Sequence, residues 1–328
     1  MHPVSRRIFL HGAAMGMASV AGGQVWAQPK WPEKPIRFIV PYTPGGFTDQ
    51  MARVVQAGLQ KSLGQSIMID NRPGANSIIG VDQVAKSAPD GYTFGVVIAA
   101  YAANTTLYPK LPYQPTRDLK GVSLMGISPL VAAVPMDAPF KNARELIAYA
   151  RANPGKVSFG SSGNGSSAHL TTELLKLMTK TDMVHIPYKG SAPALTDLMG
   201  GQISLFLDPP PNLVQPAKAG RIRLIGVASE RRLGLLPDVP TFIEQGFEGF
   251  VGSTWAAVIA PAGVPQDIVQ RLSAETRQVI HSTEVMTHLE TIMGTFAEGS
   301  SPQECDRFIA AETQKWSKVI TEAKVTVD

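Results

Sequence analysis

Two stretches of this chain carry glycine and hydroxyl residues where an apolar strand gives way to an amphipathic helix. Gly45-Gly46-Phe47-Thr48-Asp49 follows Ile36–Val40. Ser161-Ser162-Gly163-Asn164-Gly165-Ser166-Ser167 follows Val157–Gly160. Such a turn exposes backbone N–H groups, and the start of the helix adds roughly half a positive charge. Together they form an anion site that needs no cationic side chain. One turn on each side of a cleft would hold a small carboxylate through backbone amides. The alternative is that both are ordinary strand-to-helix connections with capped helices. Thr48 and Asp49 are good N-cap residue types on either reading.

The other chemistry-bearing residues are sparse. Gly163-x-Gly165-x-x-Ala168 fits the dinucleotide fingerprint, but the acid expected at the end of the next strand is replaced by Tyr188-Lys189. Gly160-Ser161-Ser162-Gly163 does not form a nucleophile elbow. His169 follows the serines on a helix, as a base or as a packing residue. Asp208 closes the apolar run of "ISLFLDPPPN", where it meets a ligand hydroxyl or ammonium, or caps the next helix at Asn212. Tyr101 and Asn104 follow a strand end and line a cleft or pack within a lobe. Cys305 is the single cysteine, so no intrachain disulfide forms. His281 and His288 read as surface residues on one helix face. No cofactor and no metal site is expected.

The elements around these residues alternate strand and helix almost throughout. Met51, Val54, Val55, Leu59 and Leu63 mark one helix face. Strands are expected at 67–69, in "PDGYTFGVVIA", and at 130–134, 184–186, 203–207, 223–227 and 255–260. Helices are expected at 142–152, 166–179, 266–281 and about 302–321. This order argues for an α/β fold with mixed sheets flanked by helices. "LMGISPL" and "GFEGFVGSTW" read as two crossings between lobes. The division is therefore 28–127 plus 252–328 for lobe 1 and 128–251 for lobe 2.

The first 27 residues read as a twin-arginine export signal. Ser5-Arg6-Arg7-Ile8-Phe9-Leu10 precedes an apolar run too short to span a bilayer, and cleavage is expected after Ala27. Removing it lowers the net charge from +4 to 28 − 26 = +2. That balance, with no basic block, excludes a nucleic-acid partner.

Seven segments in order, "KPIRFIVPYTPGGFTDQMARVV", "LGQSIMIDNRPGANSIIG", "APDGYTF", "HIPYKGSAPALTDLMGGQISLFLD", "GRIRLIGVAS", "LPDVPTFIEQGF" and "APAGVP", resemble the Bug family. Its members are extracytoplasmic solute-binding receptors of tripartite tricarboxylate transporters, the TctC type. The resemblance implies a two-lobed, periplasmic-binding-protein (Venus-flytrap) fold closing on a small organic carboxylate. It implies a monomer in the periplasm that delivers the ligand to membrane transporter subunits, and no catalysis. It implies ligand contacts from Gly45, Gly46, Phe47, Thr48 and Asp49 and from Ser161, Ser162, Gly163, Ser166 and Ser167. It also places Asp208 where some members recognise a polar group. Members often carry a small residue where this chain has Phe47. Its ring either meets an apolar or aromatic part of the ligand or packs on the lobe. The rival functions are a secreted enzyme acting on a carboxylate ester or amide, and a receptor feeding a signalling system.

Overall fold

The computed structural model describes residues 31–327; the export signal read from residues 1–27 lies outside them. The chain opens β1 (Ile36–Val40), α1 (Phe47–Leu63), β2 (Ile67–Asn71), α2 (Ile78–Ala85), β3 (Thr93–Val97), α3 (Ala100–Leu107), α4 (Pro115–Asp118) and β4 (Leu119–Pro129). It continues β5 (Val131–Pro135), α5 (Ala143–Ala152), β6 (Val157–Ser161), α6 (Ser167–Thr179), β7 (Met183–Pro187), α7 (Ser191–Met199), β8 (Leu205–Asp208), α8 (Pro210–Lys218) and β9 (Ile222–Val227). It then returns through β10 (Ser253–Pro261), α9 (Gln266–Ile280), α10 (Thr283–Thr291), β11 (Phe296–Ala297) and α11 (Pro302–Ala323).

Two mixed sheets result, ordered β11-β4-β10-β3-β1-β2 and β7-β6-β8-β5-β9. β1 pairs in parallel with β2 and β3, and β6 with β7 and β8. The right-handed crossovers those pairings require leave the loops after β1 and β6 at the carboxyl edges of their sheets. Each sheet is buried on both faces. Phe38, Val55, Leu59 and Val258 form one core beneath α1, while Trp255, Trp316 and Ile320 form a second beneath α11. In the other lobe Leu146, Phe159, Phe242 and Phe250 pack on one face and Phe206, Leu198 and Leu213 on the opposite face.

The chain crosses between sheets where β4 runs into β5 through Leu130, whose N–H donates to the Gly252 carbonyl at 3.0 Å. The return crossing lies beside it: the Gly252 N–H donates to Ala228 O at 3.0 Å. Gly252 is required here, because a Cβ would stand 2.1 Å from Thr171 Cγ2 of α6.

Three sequence expectations change. The crossing read at Leu124–Leu130 narrows to Leu130, since the residues through Pro129 belong to the long strand β4, which pairs with β10 along its length. Gly121 and Gly126 serve close approach: a Cβ would meet Asp306 Oδ1 at 2.8 Å and Phe296 O at 2.9 Å. His281 and His288 do not share a helix, since α9 ends at His281 and Ser282 caps α10. Ala100–Leu107, read only as residues after a strand, is a helix.

Candidate ligand-binding cleft

A cavity of about 390 Å³ lies between the lobes. The first turns of five helices reach it: α1 through Phe47 and Thr48, α3 through Ala100, α6 through Ser167 and Ala168, α7 through Ser191 and Ala192, and α8 through Pro211 and Asn212. Four of these helices, α1, α3, α7 and α8, carry no side-chain cap. A helix start leaves its first N–H groups without intrahelical acceptors. Left uncapped beside a cavity, such groups remain donors for whatever fills it. Two helices are exceptions: in α3 the Tyr101 and Ala102 amides turn back to the Ile98 and Ala99 carbonyls, and in α8 Pro209, Pro210 and Pro211 have no N–H and present apolar surface instead.

The two glycine turns can be accounted for donor by donor. In lobe 1, the Gly45 N–H goes to Asp49 Oδ2 at 2.9 Å and Gln50 N–H to Gly46 O at 2.9 Å. The amides of Gly46, Phe47 and Thr48 have no acceptor among the described residues. In lobe 2, Gly163 N–H goes to Ser161 Oγ at 3.2 Å, Gly165 N–H to His169 Nδ1 at 3.1 Å, and Ser166 N–H to Gly163 O at 3.1 Å. The amides of Ser162, Asn164, Ser167 and Ala168 stay unengaged among the described residues. Every one of these seven free donors belongs to a residue lining the cavity.

Among the described residues lining the cleft, none is Lys, Arg or His, and Asp208 is the one acid. Asp208 is buried. Its Oδ1 accepts from Ser191 Oγ at 2.8 Å and its Oδ2 from Asn212 Nδ2 at 2.6 Å. Burial pushes its carboxyl up to about 7, and those two hydrogen bonds only partly counter the shift. A carboxyl raised in this way takes up a proton more readily than an exposed aspartate. It can therefore sit near a bound anion at small cost, or accept from a ligand donor. Phe47, Ile98, Leu130, Pro209 and Pro211 add apolar surface, and the uncharged polar residues Thr43, Gln50, Asn76 and Thr254 also line the cleft.

Against this geometry the chain can be set beside known proteins. Residues 51–325 match the tripartite tricarboxylate transporter family receptor, TctC. The chain belongs to this receptor family. It is 39% identical to protein BugT of Bordetella pertussis over 89% of this chain and 90% of that one. It is 36% identical to a protein from the tcbD-tcbE intergenic region of Pseudomonas sp. strain P51, over 99% and 96% of the two chains. Among solved structures it resembles R. palustris Rpa4515 with adipate (36% identity, TM-score 0.83, 90% of this chain and 99% of that one). It also resembles MatC of Rhodopseudomonas palustris with bound malate (30%, TM-score 0.76, 88% and 99%). The two-lobed periplasmic-binding-protein fold expected from the sequence is thus the fold of this receptor, and its relatives are solute-binding proteins.

Within the receptor, Gly45, Gly46, Phe47, Thr48, Ser162, Gly163, Ser166, Ser167 and Asp208 line the cleft together. Four residues named from the sequence do not. Asp49 is buried beneath its turn, where it also accepts from Asn71 Nδ2 at 3.1 Å and Arg53 Nε at 2.8 Å. Its pKa falls even though burial alone would raise it, because hydrogen bonds from Arg53, Gly45 and Asn71 outweigh that penalty. Tyr101 is buried against Tyr113, with rings 6.5 Å apart. Asn104 is fully buried and holds Asn76, accepting from its Nδ2 at 2.8 Å and donating to its carbonyl at 2.7 Å. Ser161 turns its hydroxyl to His185 Nε2 at 2.7 Å.

Helix starts also differ from expectation. The N-cap of α1 is Gly46, with Thr48 and Asp49 in the first turn. Asp208 caps nothing; it joins Ser191 to Asn212 across the ends of two helices. His169 is a packing residue, buried and stacked on His185 with ring centroids 3.6 Å apart. Sequence reasoning did not single out Asn76, Ser191 or Thr254, all of which line the cleft. Ser191 had a legible signal, since Lys189-Gly190-Ser191 repeats the strand, glycine, helix pattern of the two named turns.

Proposed function

We propose that this receptor captures a small organic carboxylate in the interlobe cleft and delivers it to the membrane subunits of a tripartite tricarboxylate-type transporter. The carboxylate is held by backbone amides from both lobes, and the protein does no chemistry on it. The carrying observation is the set of seven unengaged turn amides around a cavity whose described lining residues include no cation. Relatives with adipate and malate support the ligand class. Phe47, Ile98 and Leu130 in the lining favour a ligand with an apolar or aromatic body.

The working division for closure is residues 28–127 plus 252–328 against 128–251, with the hinge beside Leu130 and Gly252. The mature protein acts as a periplasmic monomer after cleavage following Ala27. Melting curves with a panel of carboxylates, each beside its amide or methyl ester, test the reading. The acid is expected to raise the melting temperature and its neutral analogue to leave it unchanged. At 100 times its dissociation constant a ligand adds about 2.7 kcal/mol. Stabilisation by neutral sugars with none by carboxylates would overturn the anion site.

A further inference from the structure

Behind the second turn, on the side away from the cleft, two histidines do work that ligand contact does not explain. His169 is 5% exposed and does not line the cleft. Its Nδ1 accepts the Gly165 N–H at 3.1 Å, and its own N–H donates to Ser166 Oγ at 3.3 Å. The second bond caps α6 at Ser166, and the first ties down the residue before the cap, so an imidazole at the position of a capping-box Glu or Gln reaches one residue further back. An Nδ1 that accepts an amide proton carries none itself, so the ring proton is on Nε2. There it faces Glu173 Oε1 at 3.9 Å.

The partner ring is tied to the same turn. Ser161 Oγ lies 2.7 Å from His185 Nε2 and 3.0 Å from Gly163 O, so its hydroxyl joins the ring to the turn. His185 stacks on His169 and also on the Phe159 ring, 4.9 Å away, which lies 6.3 Å from His169. The charged groups facing the pair across a small polar cavity are Glu173 and Lys176 of α6 and Lys324 beyond α11. Gly165 itself abuts the opposite lobe: a Cβ there would come within 2.4 Å of Leu107 Cδ1. The peptide that His169 holds is therefore also a surface on which the two lobes meet.

We propose that His169 is a positioning residue for ligand capture: its Nε2–H tautomer ties down the Gly165 amide, so that the Ser162, Asn164, Ser167 and Ala168 amides face the carboxylate. This rests on the carboxylate reading of the cleft. Without the acceptor, the Gly165 N–H would compete for the ligand or for water, and the peptide would be free to rotate away from Leu107.

The test uses the full mature protein in two measurements. Without ligand, long-range ¹H–¹⁵N correlation should show His169 Nδ1 as the unprotonated, pyridine-type nitrogen; a protonated Nδ1 overturns the proposal. Calorimetric titration with adipate then compares wild type, His169→Leu and His169→Asn, beside melting curves of each. The Leu variant should bind about three- to tenfold more weakly, the net worth of one hydrogen bond. The Asn variant, whose Oδ1 can accept the same amide, should return to within about twofold of wild type. A Leu variant that binds like wild type, or an Asn variant as weak as Leu with the same melting temperature, overturns it. A wild type that binds neither adipate nor any other carboxylate of the panel overturns the carboxylate reading instead, leaving the tautomer result to stand alone.

Discussion

The two turns that face each other across the cleft solve one geometric problem with different chemistry. Each places a left-handed glycine two residues before its helix, Gly45 at φ +84° and Gly165 at φ +74°. Each glycine donates its amide to the side chain four residues on, at 2.9 Å to Asp49 and 3.1 Å to His169. Asp49 is an ionised carboxylate, offset by Arg53 and Asn71. His169 is a neutral ring stacked on another. The positions that open the helices also differ: Gly46-Phe47 in lobe 1, Ser166-Ser167 in lobe 2. An anion beneath the first turn complements the helix dipole before any ligand arrives, whereas the second turn holds no negative charge against it. The second turn is thus the more electropositive grip, and the first the more firmly anchored and the more apolar.

The largest expected effect breaks the anchor of the first turn. Asp49→Ala removes the acceptor of three hydrogen bonds in a buried position, two of them from the Gly45 amide and the Asn71 side chain. Loss of a hydrogen-bonded charged group of this kind costs about 2–3 kcal/mol. The unfolding midpoint in urea should fall accordingly, and by more than in His169→Leu. An equal or smaller loss would mean that the charged anchor is no stronger than the neutral one.

Acid should separate the two anchors. Burial, the His185 ring and Lys176 hold His169 down at about 3, and burial with Lys176 holds His185 at about 4. The unfolded chain takes up protons at these sites below about pH 6.5, whereas the folded protein does not. Their contribution is therefore complete above pH 6.5 and is lost as pH falls through the window down to about 3–4. Asp49, whose folded pKa is lowered, contributes above its unfolded value and loses that only under more acidic conditions. Asp208 acts in the opposite sense: held at about 7, it favours the folded state at low pH and loses that contribution as pH rises from its unfolded value to 7. Melting temperature against pH should fall between pH 6.5 and 4 in wild type, and fall less in a His169→Leu, His185→Phe double variant. An unchanged slope in the double variant would assign the acid sensitivity elsewhere.

What the sequence disclosed about the two turns follows from what local pattern carries. β1, α1, β6 and α6 were legible because an apolar run, a Gly/Ser turn and a 3.6-residue apolar period each act over a few residues. Asn142 and Ser166, the expected first residues of α5 and α6, are their N-caps, one residue before each helix begins. α3 was not legible, because "AYAANTTL" has small and polar residues without a one-sided stripe and is buried on most of its surface. Tyr101 and Asn104 follow from that. Their type suited a cleft, but the helix turns both inward, Tyr101 to Tyr113 and Asn104 to the backbone of Asn76. Ser161 and Asp49 were placed on the right loops and point the other way, since a turn alternates its side chains between ligand and support. Thr254 reaches the cleft from β10, whose pairing with β4 is distant in sequence and encoded by no local pattern.

The smallest expected effect concerns the residue that makes the turns least alike. Phe47 opens α1 where Ser167 opens α6. Its ring is half-buried, packs against the core beneath α1 and lines the cleft. Phe47→Ser makes the first turn resemble the second while leaving its backbone donors in place. Lost contact with an apolar or aromatic ligand body would weaken such a carboxylate by about 1 kcal/mol. A four-carbon dicarboxylate, which has little apolar surface to offer the ring, should bind as before or slightly better in the enlarged space. If the ring serves the lobe instead, the substitution lowers stability without ligand and shifts both affinities alike. Calorimetric titration of benzoate and succinate against wild type and variant, beside melting curves, separates the two. Loss confined to benzoate would make Phe47 the apolar wall of the site. A fall in melting temperature with unchanged selectivity would remove Phe47 from ligand choice, leaving the difference between the turns to their anchors alone.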